Sequence, residues 1–290
     1  VVIVIEALLR VARRALQDRV AWVVAILAFI ALFFLGLPYP LIVLAAGLFG
    51  FWRGSRDAPV EATAPTLQWR RTGGTIALWL GLWWLPVLGL VLFGAPEILI
   101  EIAGFFSKLA VVTFGGAYAV LAYMAQDVVD KFGWLTAGEM IDGLGLAETT
   151  PGPLILVTQF VGFLAGHGVG GLPMALAGAA VTLWVTFVPC FLWIFAGAPY
   201  IDWLCAQPRL KGALDAITAA VVGVILNLSI WFALHVFFGR VERLDLGLLQ
   251  LWVPEIVSAD WRVLPITLIA GWLLLHRHWS MLRVLGIAAG

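Results

Sequence analysis

The sequence predicts an all-α, polytopic integral membrane protein, and three observations carry that prediction. Of 290 residues, 63% are hydrophobic and only 12% are charged, whereas a soluble domain is nearer half apolar and a quarter charged. Apolar runs separated by short polar or Pro/Gly breaks recur along the chain, and helices satisfy their own backbone groups in lipid. Fifteen tryptophans suit the belts at membrane interfaces. Net charge is zero, so nothing argues for a nucleic-acid partner. The two cysteines, Cys190 and Cys205, form no Cys-x-x-Cys or Cys/His set, so no metal site or other cofactor is expected.

In chain order, a first apolar run over residues 1–9 leads into Arg10, Arg13, Arg14 and Arg19. The chain starts without methionine, inside this run, which reads as a fragment whose front is missing. Runs over 20–37 and 41–52 follow, separated by Pro38-Tyr39-Pro40; each is short against the about 20 residues of a full span. A polar stretch then carries Arg53, Arg56, Arg70 and Arg71. Basic loops favour the cytoplasm, which places it and the earlier arginines on that side. Residues 75–94 read as one span with a kink at Pro86, and 96–124 as a long helical stretch carrying Glu97, Glu101 and Lys108. A short helix is predicted over 136–146. Apolar runs continue to Gly166 and over 170–197, then 198–211 reads as a loop. Residues 213–238 span again, 240–261 read as a loop of mixed charge, and 263–275 form a short last run.

Within this apolar background Glu148-Thr149-Thr150-Pro151-Gly152-Pro153 stands out. Proline cannot continue a helix, because it lacks the N–H and clashes with the preceding turn. A helix is therefore predicted to end near Leu146 and another to start near Pro153, where proline suits the first helical position. Broken backbone at membrane depth survives only against protein or a water-filled cavity. The stretch is either a binding site of the broken-helix kind or a tight turn at the membrane surface.

An internal repeat organises the rest. Val221-Val222-Gly223-Val224-Ile225-Leu226-Asn227-Leu228 resembles residues 1–8, and Pro265-Ile266-Thr267-Leu268-Ile269-Ala270-Gly271 resembles residues 40–47. Same-order matches suggest a duplication. The expected domains are residues 1–52 as the tail of a truncated first repeat, 53–74 as a cytoplasmic linker, 75–95 as a linking transmembrane helix, and 96–290 as a second repeat. The weaker positive bias of 240–262 suggests that the second repeat is inverted, a plan common among secondary transporters together with broken, re-entrant helices.

Four separated motifs carry a family resemblance. They are Phe114-Gly115-Gly116, the stretch Gly145–Leu154 around Pro151-Gly152-Pro153, Gln159-Phe160-Val161-Gly162-Phe163, and Ala219-Ala220-Val221-Val222-Gly223-Val224-Ile225-Leu226-Asn227-Leu228. In order and spacing they resemble the second half of the chromate ion transporter family. Glu6-Ala7-Leu8-Leu9-Arg10-Val11-Ala12-Arg13-Arg14 resembles the end of that family's first half. The resemblance implies a gradient-driven exporter of chromate in the bacterial plasma membrane, with sulfate as the look-alike oxyanion. Membrane lipid surrounds such a protein, and a homodimer is compatible with it. The alternatives are a carrier of sulfate, another anion or a small metabolite on the same scaffold, and a non-transporting helical membrane subunit. No HExxH or GxSxG motif is present, so an enzyme has little support.

A divalent oxyanion needs positive potential and donors, which helix N-termini supply through free N–H groups. The Pro151-Gly152-Pro153 break offers one such end. Gly152 admits close backbone approach, and Thr149 and Thr150 add hydroxyl donors. Gly115 and Gly116 either break their helix to offer a second end or serve close helix packing. Lys108 lies well inside an apolar stretch, at a cost of about 2.5–3.5 kcal/mol on insertion scales. It is the anion's counter-charge, a snorkelling lysine, or the partner of Glu101. Glu148 is the proton-coupling candidate if burial raises its pKa, and otherwise an exposed helix-end carboxylate. Gln159 and Asn227 either contact the anion or bond a neighbouring helix.

Overall fold

A 3.6-residue turn closes every backbone bond within one segment, and the apolar runs accordingly become helices. The computed structural model describes residues 2–54, 69–112, 117–148, 153–247, 249–277, 279 and 283–284. Helix α1 (Val2–Ala15) carries Arg13 and Arg14 in its last turn, where cations complement the helix dipole. Asp18 caps α2 (Arg19–Phe33) by accepting from the Ala21 N–H at 2.7 Å. Gly36 (φ +58) turns the chain into α3 (Tyr39–Arg53), which has proline at its start. Helix α4 (Trp69–Leu92) holds Pro86 internally.

Residues 96–124 are not one helix. Helix α5 (Glu97–Val112) and α6 (Ala117–Gln126) are separate, and α6 runs into a π-turn (Asp127–Lys131). Helix α7 (Ala137–Glu148) and α8 (Pro153–Gly197) stand on either side of residues 149–152, which lie outside the described residues together with the predicted break. Helix α8 is two helices merged at Gly170 and Gly171, the latter at φ +63. Its halves fold back on each other: Gly162 packs against Thr182 and Gly178, and Gly166 against Met174. The predicted loop over 198–211 holds the short helix α9 (Ile201–Cys205) and the start of α10 (Pro208–Phe237). Among the described residues three helical stretches are long and apolar enough to cross a membrane: Arg70–Leu92, Leu154–Tyr200 and Pro208–Phe237.

Helix α10 is the centre, packed against α1, α2, α3 and α6. Close crossings make this possible. A Cβ on Gly223 would meet Ala25 O of α2 and lie 2.8 Å from Phe29 N, and Gly50 of α3 lies against Gly212 of α10. In lipid such small-residue contacts supply packing that the hydrophobic effect does not. The core gathers Ile102, Phe106, Met124, Val161, Ile225 and Trp231. Helix α4 joins it through Trp83 and Val87 and turns Leu85, Leu88 and Leu92 outward. Two indole bonds tie it down: Trp83 Nε1 donates to Ser107 Oγ at 3.1 Å, and Trp184 Nε1 to Leu82 O at 3.0 Å.

The predicted mixed-charge loop after α10 is an antiparallel hairpin, β1 (Val241–Leu246) with β2 (Leu249–Pro254), registering Arg243 with Trp252. It docks on the α2–α3 turn, where Gln250 N donates to Phe34 O at 2.7 Å. A last helix, α11 (Val263–Gly271), runs into a second π-turn. The fold remains all-α in class, with this hairpin as its one sheet among the described residues.

The charges sort by end. The C-terminus of α3 meets the N-terminus of α10, where a Cβ on Gly54 would lie 2.6 Å from Arg209 Cα. Arg53 pairs with Asp18 at 3.1 Å. Thr72 at the start of α4 shares a hydrogen bond with Tyr200 at 3.0 Å. Arg14, Arg19, Arg53, Arg70, Arg209 and Lys211 therefore collect at one end of the bundle, and the hairpin sits at the other.

Candidate functional site

Helix α5 sorts its residues cleanly. Ile98, Ile102, Phe106 and Leu109 are buried, while Glu97, Glu101, Gly104, Lys108 and Val111 are exposed. The exposed spacing of four and three is one helical face. Lys108 thus stands on a stripe that the described residues leave uncovered. Its ammonium lies 5.6 Å from the centre of the Tyr123 ring, inside cation–π range. Among the described residues it makes no ion pair, so the expected pairing with Glu101 is not formed.

Tyr123 of α6 is itself held. It is buried, stacks on Tyr39 of α3 at 5.3 Å, and its hydroxyl interacts with Asp127 of the π-turn. Phe105 of α5 touches Tyr123, Phe132 and Trp134. The Tyr123 side chain of α6 therefore reaches α5 at Phe105 and Lys108. An ammonium, a phenol and a carboxylate meet here, on three elements. Such a group can hold an anion at the ammonium and keep the aromatic face in register through the stack. Tyr39 and Asp127 were not expected from the sequence: Tyr39 sits between two prolines in an apparent separator, and Asp127 reads as one of a solvated pair.

The second break is framed similarly. A Cβ on Gly143 of α7 would lie 2.6 Å from the Phe160 ring of α8, so α7 lies along the first half of α8. Pro153 is the first residue of α8 and Glu148 the last of α7. Thr136 and Glu139 start α7 as a capping box: the Thr136 N–H and hydroxyl donate to Glu139 Oε2 at 2.8 Å, and the Glu139 N–H donates to Thr136 Oγ1 at 3.3 Å. Thr136→Ala should lower stability by about 1 kcal/mol, read as a fall in the thermal midpoint of the detergent-solubilised protein.

Of the predicted site residues, Gly115, Gly116, Thr149, Thr150, Pro151 and Gly152 lie outside the described residues. Gln159 is half-buried in α8 and Asn227 is buried in α10. Among the described residues neither is hydrogen-bonded to Lys108. Two hydroxyls that sequence reasoning passed over, Thr182 and Thr186, are buried with no hydrogen-bond partner among the described residues, and Thr182 packs on Gly162 across the α8 seam. Their turn spacing was visible, but their burial depends on the fold-back at Gly170-Gly171.

Residues 100–290 match the family described as Chromate transporter. The chain is 30% identical over 248 residues to the chromate transport protein of Pseudomonas aeruginosa, covering 86% of this chain and 56% of that protein. It is 32% identical over 146 residues to a probable chromate transport protein of Synechococcus elongatus, covering 50% and 35%. It is 34% identical over 128 residues to the chromate transport protein of Cupriavidus metallidurans, covering 44% and 30%. The chain therefore spans at most a little over half the length of these three relatives. No solved structure matches it.

Proposed function

The chain belongs to the chromate transporter family, and from that premise we propose that it forms part of a secondary transporter exporting chromate across the bacterial plasma membrane. The observation that carries this reading is Lys108, the one cation of α5, on a face that also carries Glu97 and Glu101 and that the described residues leave uncovered, poised over Tyr123. A charge at such a position needs water or a counter-ion, because lipid solvates it poorly. An oxyanion path along that face of α5 supplies both.

In the proposed mechanism the anion sits near mid-membrane, between facing helix breaks that we place at Gly115-Gly116 and at Pro151-Gly152-Pro153. The N-terminus of α8 and the Thr149 and Thr150 hydroxyls donate to its oxygens, and Lys108 balances its charge. Gly115, Gly116 and Gly152 admit backbone to it, with Gln159 and Asn227 as further contacts. Glu148 carries the coupled proton. The repeats, with 96–290 as the second and 1–52 as the end of the first, rock against one another around this site.

The test is chromate uptake by inside-out vesicles carrying the full-length parent gene product. Uptake driven by an imposed proton gradient is the expected result. Its absence with inserted protein would overturn the reading. Sulfate shares chromate's charge and tetrahedral oxygens, so a sulfate carrier is the second reading. Sulfate accumulating in place of chromate in the same vesicles would decide for it.

A further inference from the structure

A cavity of about 620 Å³ opens at the arginine-bearing end, between α1, α2, α3 and α10. Its rim carries Arg14, Arg53 and Lys211 against Asp18 and Asp215, and its inner wall is made by Val20, Val24, Phe49, Ala216 and Ala219. From Asp18 down to Val24, and from Lys211 down to Ala219, the wall descends about 9–12 Å at the helical rise. The cavity is thus basic at the membrane surface and apolar below it, which is the polarity profile of a phospholipid.

The charges select the ligand further. Asp18 is committed: it caps α2 through the Ala21 N–H and pairs with Arg53. These two donors, the Ala21 N–H first, hold its carboxyl below the usual carboxylate range. Among the described residues Arg14 and Lys211 make no ion pair. Among the described residues three cations against two carboxylates leave one net positive charge on the lining. That matches a monoanionic phosphodiester. A divalent oxyanion would be undercompensated and would face Asp215 as well, so the cavity does not suit the transported ion proposed above. The walls are rigid, because Gly50 and Gly212 lie in contact beside the opening.

We propose that this cavity binds the headgroup and upper acyl chain of an anionic phospholipid, in the leaflet at the arginine-bearing end. Basic recesses between transmembrane helices are suited to such headgroups, with about 1 kcal/mol of attraction per cation near the surface. The site is separate from Lys108 and does not depend on what the protein transports.

The experiment is native mass spectrometry of the full-length parent protein, equilibrated with equal amounts of phosphatidylglycerol and phosphatidylcholine. Retention of phosphatidylglycerol about fivefold above phosphatidylcholine is expected, with Arg14→Gln and Lys211→Gln each lowering it about fivefold. Both side chains are exposed, so neither change removes packing. Arg70→Gln, at the same end but off the cavity, should leave retention unchanged. Equal retention of both lipids, or an equal loss in Arg70→Gln, would overturn the proposal. Displacement of the lipid by millimolar inorganic phosphate would also overturn it, in favour of a free-phosphate site.

Discussion

Lys108→Met is expected to lower the initial rate of chromate transport by about 10- to 100-fold, the order of one lost charge-assisted bond to a desolvated anion. The amount of protein in the membrane should not change. Lys108 is exposed, so its removal opens no buried cavity. Lys108→Arg keeps the charge on a longer fork and should retain part of the rate. The pair separates the proposal from a snorkelling lysine, whose loss leaves transport intact. Gly152→Leu is expected to match Lys108→Met, because a side chain there would keep backbone donors from the anion. Normal transport by both Lys108→Met and Gly152→Leu would sink the site assignment.

Gly223→Leu should have the largest effect on the fold itself. A Cβ at this position meets the Ala25 carbonyl oxygen, lies 2.8 Å from Phe29 N and 3.1 Å from Ala28 Cβ. Two of those atoms are helix backbone and cannot rotate aside. Overpacking of a tight site costs about 1–3 kcal/mol when the surroundings can shift, and here α2 would have to move away from α10. Sharply reduced membrane yield and a lower thermal midpoint are expected. Gly89→Leu is the control, since a Cβ there meets nothing within 4 Å. Equal yields of the two variants would show that the α2–α10 crossing tolerates separation.

These glycines change how the motifs are read. Gly162 and Gly223 both belong to motifs that carry the family resemblance. In the structure each lies where two helices nearly touch, Gly162 against Thr182 and Gly178 and Gly223 against α2. Part of what marks the family is therefore helix packing. Tyr39 runs the other way: it reads as a spacer between prolines, yet it is buried and stacked on the ring that Lys108 faces.

The sequence alone determined the class and the breaks. Apolar runs too long for a soluble protein must be helices in lipid, and proline stops a helix whatever surrounds it. These are local effects, so a helix on either side of the proline stretch was legible, and Lys108 was conspicuous by its apolar neighbours. Only the tertiary structure decided what lies beside what. It split residues 96–124, folded α8 back at Gly170-Gly171, and put Tyr123 and Tyr39 under Lys108. It also paired residues 241–246 with 249–254 as a hairpin, one strand exposed and the other half-buried on both faces, so that neither shows a clear alternation. The cavity at the arginine-bearing end draws its lining from α1, α2, α3 and α10. No local pattern encodes such meetings, because side chains far apart in sequence are brought together by close helix crossings, and those depend on both partners at once.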